Sequence, residues 1–283
     1  MDRFSKYNPK TNLLFFLLAV VITLMIFNPV FLALSFLFAF LYKLKLNPRG
    51  ALRALCVALP LLALTSLFNM IFAHYGQTVL FEIGYTVFTL EALSYGFTQG
   101  LMVCAVLFWF SCYNEIVSGE MLLSVFGGFM PNISLVFSMA LTFIPRLKKN
   151  AERINEARTL IKEDGGRLTK AVSNLSALVM MTLEESIDVS DSMRARGFNG
   201  KRTSYSKYLF SYKDALLIIT ELALFFAAAF FKLTGKADFS ADPVIHFGEI
   251  SATGITAYSL LLLLPLSVNL TEDIRWNLLK RKI

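Results

Sequence analysis

The sequence contains six apolar runs, and this pattern is compatible with few folds. They cover residues 13–27, 30–42, 54–73, 97–113, 214–231 and 250–270. A helix of about 20 apolar residues is about 30 Å long, which matches the hydrocarbon core of a bilayer. Because lipid offers no hydrogen bonds to the backbone, such runs cross as helices. The pattern predicts an all-α membrane protein, a polytopic helical bundle.

The first two runs form either a helical hairpin or one kinked span. Each run is only about 20 Å long as a helix, which is short of the hydrocarbon core. Asn28 and Pro29 separate them. Proline favours the first turn of a helix, so we prefer a hairpin with its turn at Asn28.

The charges of the loops predict the orientation of the spans. Residues 43–53 carry four basic side chains and no acid, so this loop is cytoplasmic. Residues 74–96 carry Glu82 and Glu91 but no Lys or Arg, so this loop is predicted to lie outside the membrane. Its two acidic side chains are predicted to be exposed to solvent. Glu115 and Glu120, near other span ends, are interpreted in the same way. Counting the hairpin as two passes gives six spans of a cell membrane, with both termini in the cytoplasm.

A charged segment at residues 146–213 interrupts this pattern. It holds 14 Lys or Arg and 8 Asp or Glu. Apolar spacings of three and four predict two long amphipathic helices. The first runs from the apolar residues 130–144 through Pro145 to Gly165 and Gly166, and the second runs from Arg167 to about Arg196. We predict three regions: membrane helices at 1–119, cytoplasmic or interfacial amphipathic helices at 120–213, and membrane helices at 214–283.

The stripe of the second helix contains six large aliphatic side chains: Leu168, Val172, Leu175, Val179, Leu183 and Ile187. Such a stripe lets the two helices pack across each other at the bilayer surface. Each helix carries an Ala-Arg pair toward its C-terminal end, at Ala157-Arg158-Thr159 and at Ala195-Arg196-Gly197. One cation at a helix C-terminus needs no partner, because the macrodipole contributes about 0.3–1 kcal/mol. We call each of these arginine-bearing helix ends an arginine tip. Two arginine tips in one segment favour docking to a partner protein, because the planar guanidinium group binds carboxylates with two hydrogen bonds.

The sequence lacks the motifs of common enzymes and of nucleic-acid binding. It contains no GxxxxGK[ST], GxGxxG, HExxH or GxSxG motif. The three cysteines and two histidines lack metal-ligand spacing, so we expect no metal site. The positive-inside rule accounts for the net charge of +7, so nucleic acid is not an expected partner.

Glu221, about two turns into a span, is expected to face the bundle and pair with a neighbouring helix.

Four short motifs resemble one transporter family. They are Asn8-Pro-Lys-Thr-Asn12, Phe143-Ile-Pro-Arg146, Glu156-Ala-Arg158, and Met193-Arg-Ala-Arg-Gly-Phe198 followed by Gly200-Lys-Arg-Thr203. In order and spacing, over residues 8–205, the chain resembles the transmembrane T component of energy-coupling factor (ECF) transporters. This family includes the cobalt-transport Q protein. Thr159 stands where the family usually has glycine.

The resemblance implies a non-catalytic coupling subunit of an ABC importer. Two ABC ATPase subunits would dock at Ala157, Arg158 and Thr159 and at Ala195, Arg196 and Gly197, and would themselves hold the ATP and Mg²⁺. This chain would need no cofactor. A small membrane-embedded substrate-binding (S) subunit would carry a vitamin or metal ion. Its expected contacts are the Met- and Phe-rich set Met121, Phe126, Phe129, Met130, Phe137 and Met139.

A self-contained secondary transporter is the alternative function. Transporters of this kind usually have inverted repeats and broken spans around a central site. Pro60 and Pro265 interrupt two apolar runs, but no repeat is visible in the sequence.

Overall fold

A computed structural model describes residues 4, 7–73, 76–83, 86–127, 130–161, 166–198, 208, 210–234, 239–240, 246–247 and 251–280. In this part of the chain the helices are α1 (Pro9–Met25), α2 (Pro29–Leu46), α3 (Pro48–Phe72), α4 (Leu90–Ile116), α5 (Gly119–Gly127), α6 (Pro131–Ile161), α7 (Arg167–Ala195), α8 (Tyr212–Leu233) and α9 (Ala252–Lys280). Two short antiparallel hairpins pair β1 (Val79–Ile83) with β2 (Thr86–Thr89), and β3 (Phe239–Ser240) with β4 (His246–Phe247).

The chain forms two compact units. The membrane unit comprises Met1–Ser118 and Tyr208–Ile283, and the helical insert comprises Gly119–Lys207. In the membrane unit, α2, α3, α4, α8 and the Ala252–Thr271 part of α9 are long and apolar enough to cross a bilayer. Helix α1 is also apolar but has only 17 residues. The predicted all-α polytopic membrane fold is confirmed, and α1 is the shortest of its six apolar helices.

The first two apolar runs form separate helices. Helix α1 ends at Met25, and Asn28 caps α2 by accepting a hydrogen bond from the Val30 amide at 3.1 Å. Beyond the turn, the hydroxyl oxygens of Thr23 and Ser35 lie 3.0 Å apart. Since these residues are twelve positions apart, the chain reverses direction between them. The helical hairpin was therefore the right choice over a single kinked span.

Aromatic rings fill the core of the membrane unit. Trp109 of α4 is fully buried, and its ring lies edge-on to Phe15 and Phe16 of α1, with centroids 5.7 and 6.3 Å away. Its indole nitrogen donates a hydrogen bond to the Ser35 hydroxyl at 3.0 Å, which satisfies its one polar atom. Helices α1, α2 and α4 therefore meet around one side chain.

The segment predicted as an outer loop, residues 74–96, contains regular secondary structure. Strands β1 and β2 occupy its middle, and α4 begins at Leu90, seven residues before the predicted span. The Thr89 side chain caps α4 by accepting from the Ala92 amide. Glu91 is buried rather than solvated, because the Thr78 amide donates to its carboxylate at 3.1 Å. A hydrogen bond of this kind offsets the cost of burying the charge.

The predicted cytoplasmic loop at residues 43–53 is helical except for Asn47, because α2 extends to Leu46 and α3 begins at Pro48. Lys43 lies within α2 and is buried, and its ammonium group pairs with the Glu115 carboxylate at 2.8 Å. Lys43 also donates to the Ser111 carbonyl at 2.9 Å. Charge pairing across α2 and α4 thus accounts for the burial of Lys43, whereas Glu115 stays exposed, as predicted.

The helical insert consists of α5, α6 and α7. Helix α6 continues through Pro145, as the sequence pattern predicted. The Asn174 amide donates to Asn155 at 3.5 Å, and Arg146 pairs with Glu185 at 3.3 Å, so α6 and α7 run antiparallel.

The apolar stripe of α7 does not form the contact with α6. Its six aliphatic side chains are between 48% and 82% exposed, although the sequence pattern let us expect them to pack. The contacts to α6 come from a different face, which includes Asn174 and Glu185. Polar pairing across α6 and α7 leaves the stripe available for lipid or another protein.

Candidate functional site

The first arginine tip lies at the C-terminal end of α6. Arg158 is half-buried in the last turn, while Ala157 and Thr159 are exposed. The Thr159 hydroxyl donates to the Glu156 carbonyl at 2.6 Å. This bond satisfies the threonine hydroxyl within the helix, which continues to Ile161. The predicted end at Gly165 lies outside the described residues.

The second arginine tip is a well-defined helix end. Gly197 has a φ of +77°, which glycine adopts without strain. The Gly197 amide bonds the Arg194 carbonyl at 3.0 Å, and the Phe198 amide bonds the Met193 carbonyl at 3.1 Å. These two bonds form a Schellman motif, which ends α7 where the sequence predicted. Arg196 is therefore presented at a fixed helix end, and it is exposed.

The insert places the two tips far apart. Helix α6 ends beside the start of α7, so Arg158 lies opposite the region of Val172. Arg196 lies about 24 residues, or roughly 36 Å, further along α7. The structure therefore does not combine the two arginines into one site. It presents one at each end of an antiparallel helix pair.

A cleft of about 490 Å³ between α6 and α7 adjoins the second tip. It combines hydroxyl groups, apolar side chains and charges of both signs. The lining residues are Ser138, Met139, Thr142, Phe143, Arg146, Glu185, Asp188, Val189, Ser192, Met193 and Arg196. Such a surface suits a partner with both polar and apolar groups. Sequence reasoning missed the acidic side of this cleft, because its Glu and Asp resembled an ordinary solvated helix face.

Most of the predicted Met and Phe contact set lies on α5 and α6. Phe126, Met130 and Phe137 are exposed, whereas Met121 and Met139 are half-buried. Phe129 lies outside the described residues. The α5–α6 pair is held by a hydrogen bond from the Ser134 hydroxyl to the Leu123 carbonyl at 3.1 Å.

Further exposed apolar side chains extend this surface along α6. They include Ile133, Val136, Leu141 and Ile144, which are each at least 45% exposed. Exposed apolar surface of this extent marks a contact with lipid or with another protein. Within the described residues, no group of three or more His, Cys, Asp or Glu side chains comes together to hold a metal ion.

Comparison with curated protein sequences finds no match to this chain. A family model described as cobalt transport protein, CbiQ, matches residues 4–205. The match covers well over half of the 283 residues, including α1 to α7 and both arginine tips. Together with its apolar helices, this match shows that the chain belongs to the CbiQ family of cobalt transport proteins and is a membrane transport component.

Proposed function

We propose that this chain is the non-catalytic coupling subunit of an ECF-type ABC importer in the plasma membrane, with both termini in the cytoplasm. Two separate ABC ATPase subunits would dock at the arginine tips and would hydrolyse ATP with Mg²⁺. The observation that supports this most strongly is the placement of Arg158 and Arg196 at opposite ends of one antiparallel helix pair.

The spacing of the tips favours two partners over one. A separation of about 36 Å along α7 is comparable to the diameter of a small domain. Each guanidinium is permanently charged and matches a carboxylate in two parallel hydrogen bonds. A rigid pair of packed helices would transmit a movement of one arginine tip to the other tip. A coupling element between two ATPase subunits requires this property.

The exposed apolar surface supports the third proposed partner. Phe126, Met130 and Phe137 would contact a small membrane-embedded S subunit that binds a vitamin or metal ion. Flexible Met and planar Phe side chains adapt to partners of different shape. The α7 stripe would lie against lipid or the same subunit.

Charge reversal at the tips tests the docking role. Arg158→Glu and Arg196→Glu should each weaken association with the ATPases, because breaking a desolvated charge pair costs about 2–5 kcal/mol. The measurement is the amount of ATPase that co-purifies with the detergent-solubilised chain. Arg153→Glu and Arg194→Glu are matched controls, since they reverse a charge five residues before Arg158 and two residues before Arg196. Undiminished ATPase binding in the Arg158→Glu/Arg196→Glu double variant would contradict the proposal.

A self-contained secondary transporter is the second candidate. The burial of Glu221 inside the membrane unit favours it, since ionisable side chains in spans often mark transport pathways. Reconstitution into liposomes separates the two functions. Substrate uptake by the purified chain without ATPases would support the second candidate and exclude the first.

A further inference from the structure

Glu221 of α8 is completely buried in the membrane unit. Its exposed fraction is 0%, and neither carboxylate oxygen has a hydrogen-bond partner among the described residues. The predicted orientation toward the bundle is confirmed, but the predicted pairing is not. An unpaired carboxylate in a membrane interior is so costly that it is neutralised by a cation or a proton.

Among the described side chains of the helices that pack against α8, none supplies a cation to Glu221. Helix α8 packs against α1 and α9. The one charged side chain of α1 is the exposed Lys10, and residues 252–271 of α9 include no Asp, Glu, Lys or Arg. On α8 itself the charged residues are Lys213, Asp214 and Lys232, all about two turns or more away. Asp214 is already satisfied by the amides of Asn8 and Ser211, at 3.0 and 2.8 Å.

A second unsatisfied side chain lies on the facing helix. Asn12 of α1 is completely buried, and neither its oxygen nor its nitrogen has a partner among the residues the structure describes. The bond from the Asn8 amide to Asp214 joins the N-termini of α1 and α8, so these packed helices run in the same direction.

This register brings Asn12 and Glu221 close in height. Asn12 lies about 6 Å beyond Asn8 and Glu221 about 10.5 Å beyond Asp214, an offset of roughly 4.5 Å. Steps of four and seven residues return to within about 40° of the starting face, so Asn12 and Glu221 lie on the same sides of their helices as Asn8 and Asp214. The longer glutamate side chain leans back toward the N-terminus of α8, which reduces the offset.

The two groups complement each other only when one proton is added. A carboxylic acid donates its O–H to the amide oxygen and accepts from the amide nitrogen, which satisfies both side chains. A carboxylate accepts from the nitrogen but leaves the amide oxygen facing a negative charge. We propose that Glu221 is an intramembrane proton-binding site, and that its protonated carboxyl pairs with the Asn12 carboxamide to join α8 to α1.

Infrared spectroscopy of the full chain in lipid nanodiscs tests the site directly. At neutral pH the wild-type protein should show the carbonyl stretch of a protonated carboxylic acid, and Glu221→Gln should lose it. Asn12→Leu should shift that band, because the acid loses its amide partner. Glu91→Gln is the matched control, because Glu91 is also buried but accepts a backbone hydrogen bond, so the band should remain.

Thermal unfolding supplies the second readout. Glu221→Gln keeps an uncharged hydrogen-bonding group, so its melting temperature should stay close to that of the wild type. Glu221→Ala removes this group and should lower the melting temperature. The losses of Glu221→Ala and Asn12→Ala should not add in the double variant, because they break the same pair. A wild-type spectrum without a protonated-acid band, or a band unaffected by Glu221→Gln, would overturn the proposal. Neither readout involves the ATPases, so failure here would leave the coupling function standing.

Discussion

The membrane unit has a buried apolar core, whereas none of the described residues of the helical insert is buried. In the membrane unit, Trp109 of α4 and Leu261 of α9 are fully buried among neighbouring helices. In the insert, Leu168 and Leu175 of α7 are 82% and 61% exposed. The membrane unit also exposes apolar side chains, such as Phe72 and Ile219, but it completes a core within one chain, which the described part of the insert does not. Substitutions should therefore affect stability in the first unit and association in the second.

The largest expected effect is on Trp109. Trp109→Ala removes the ring between Phe15 and Phe16 and leaves the Ser35 hydroxyl without its donor, so it should destabilise the chain by about 3–5 kcal/mol. Phe110→Ala is the control, since the neighbouring ring is half exposed. Thermal unfolding in detergent compares the two. Equal losses would show that the membrane unit has no packed core at Trp109.

A smaller effect is expected at the end of α7. Gly197→Ala places a side chain in the left-handed region, which costs about 1–2 kcal/mol for a residue other than glycine. The Schellman motif should loosen and Arg196 should lose its fixed presentation. Gly166→Ala is a control, because the φ of Gly166 is −59° and suits alanine. We expect less ATPase to co-purify with Gly197→Ala than with the wild type. Normal ATPase binding by this variant would show that docking does not depend on the geometry of this helix end.

The smallest effect on stability is expected in the α7 stripe. Leu175→Ser should change the stability of the isolated chain by no more than about 0.5 kcal/mol, as expected of an exposed site. The same variant should reduce association with the S subunit or with lipid. Leu261→Ser is the comparison in the membrane unit and should destabilise strongly. A large loss of stability from Leu175→Ser would show that the stripe is packed within the chain and would remove the contrast between the units.

Several features of the fold could be predicted because they follow from local chemistry. Asn28 and Pro29 form a cap and a first helical turn, so the break between α1 and α2 was predictable. The Gly197 helix end follows from the freedom of glycine at positive φ, and the long α7 follows from its periodicity. The two arginine tips could be identified for the same reason.

Other features required side chains from distant parts of the chain. Glu91 was predicted to be solvated, but it is buried and accepts a hydrogen bond from the Thr78 amide. Lys43 was predicted to lie in a loop, but it is buried in α2 and pairs with Glu115 of α4. The stripe of α7 predicts an apolar face without specifying its partner, and the polar pairs to α6 left that face exposed.

Apolar length, loop charge and helix-end residues thus sufficed to predict a polytopic helical membrane protein with two arginine-tipped helices, since these properties act over a few turns of one helix. Packing decided which acids are buried, how far apart Arg158 and Arg196 lie, and that the Glu221 carboxyl is buried without a hydrogen-bond partner among the described residues. Those outcomes depend on which helices become neighbours, and helix neighbours are set by the sum of many contacts across the whole chain.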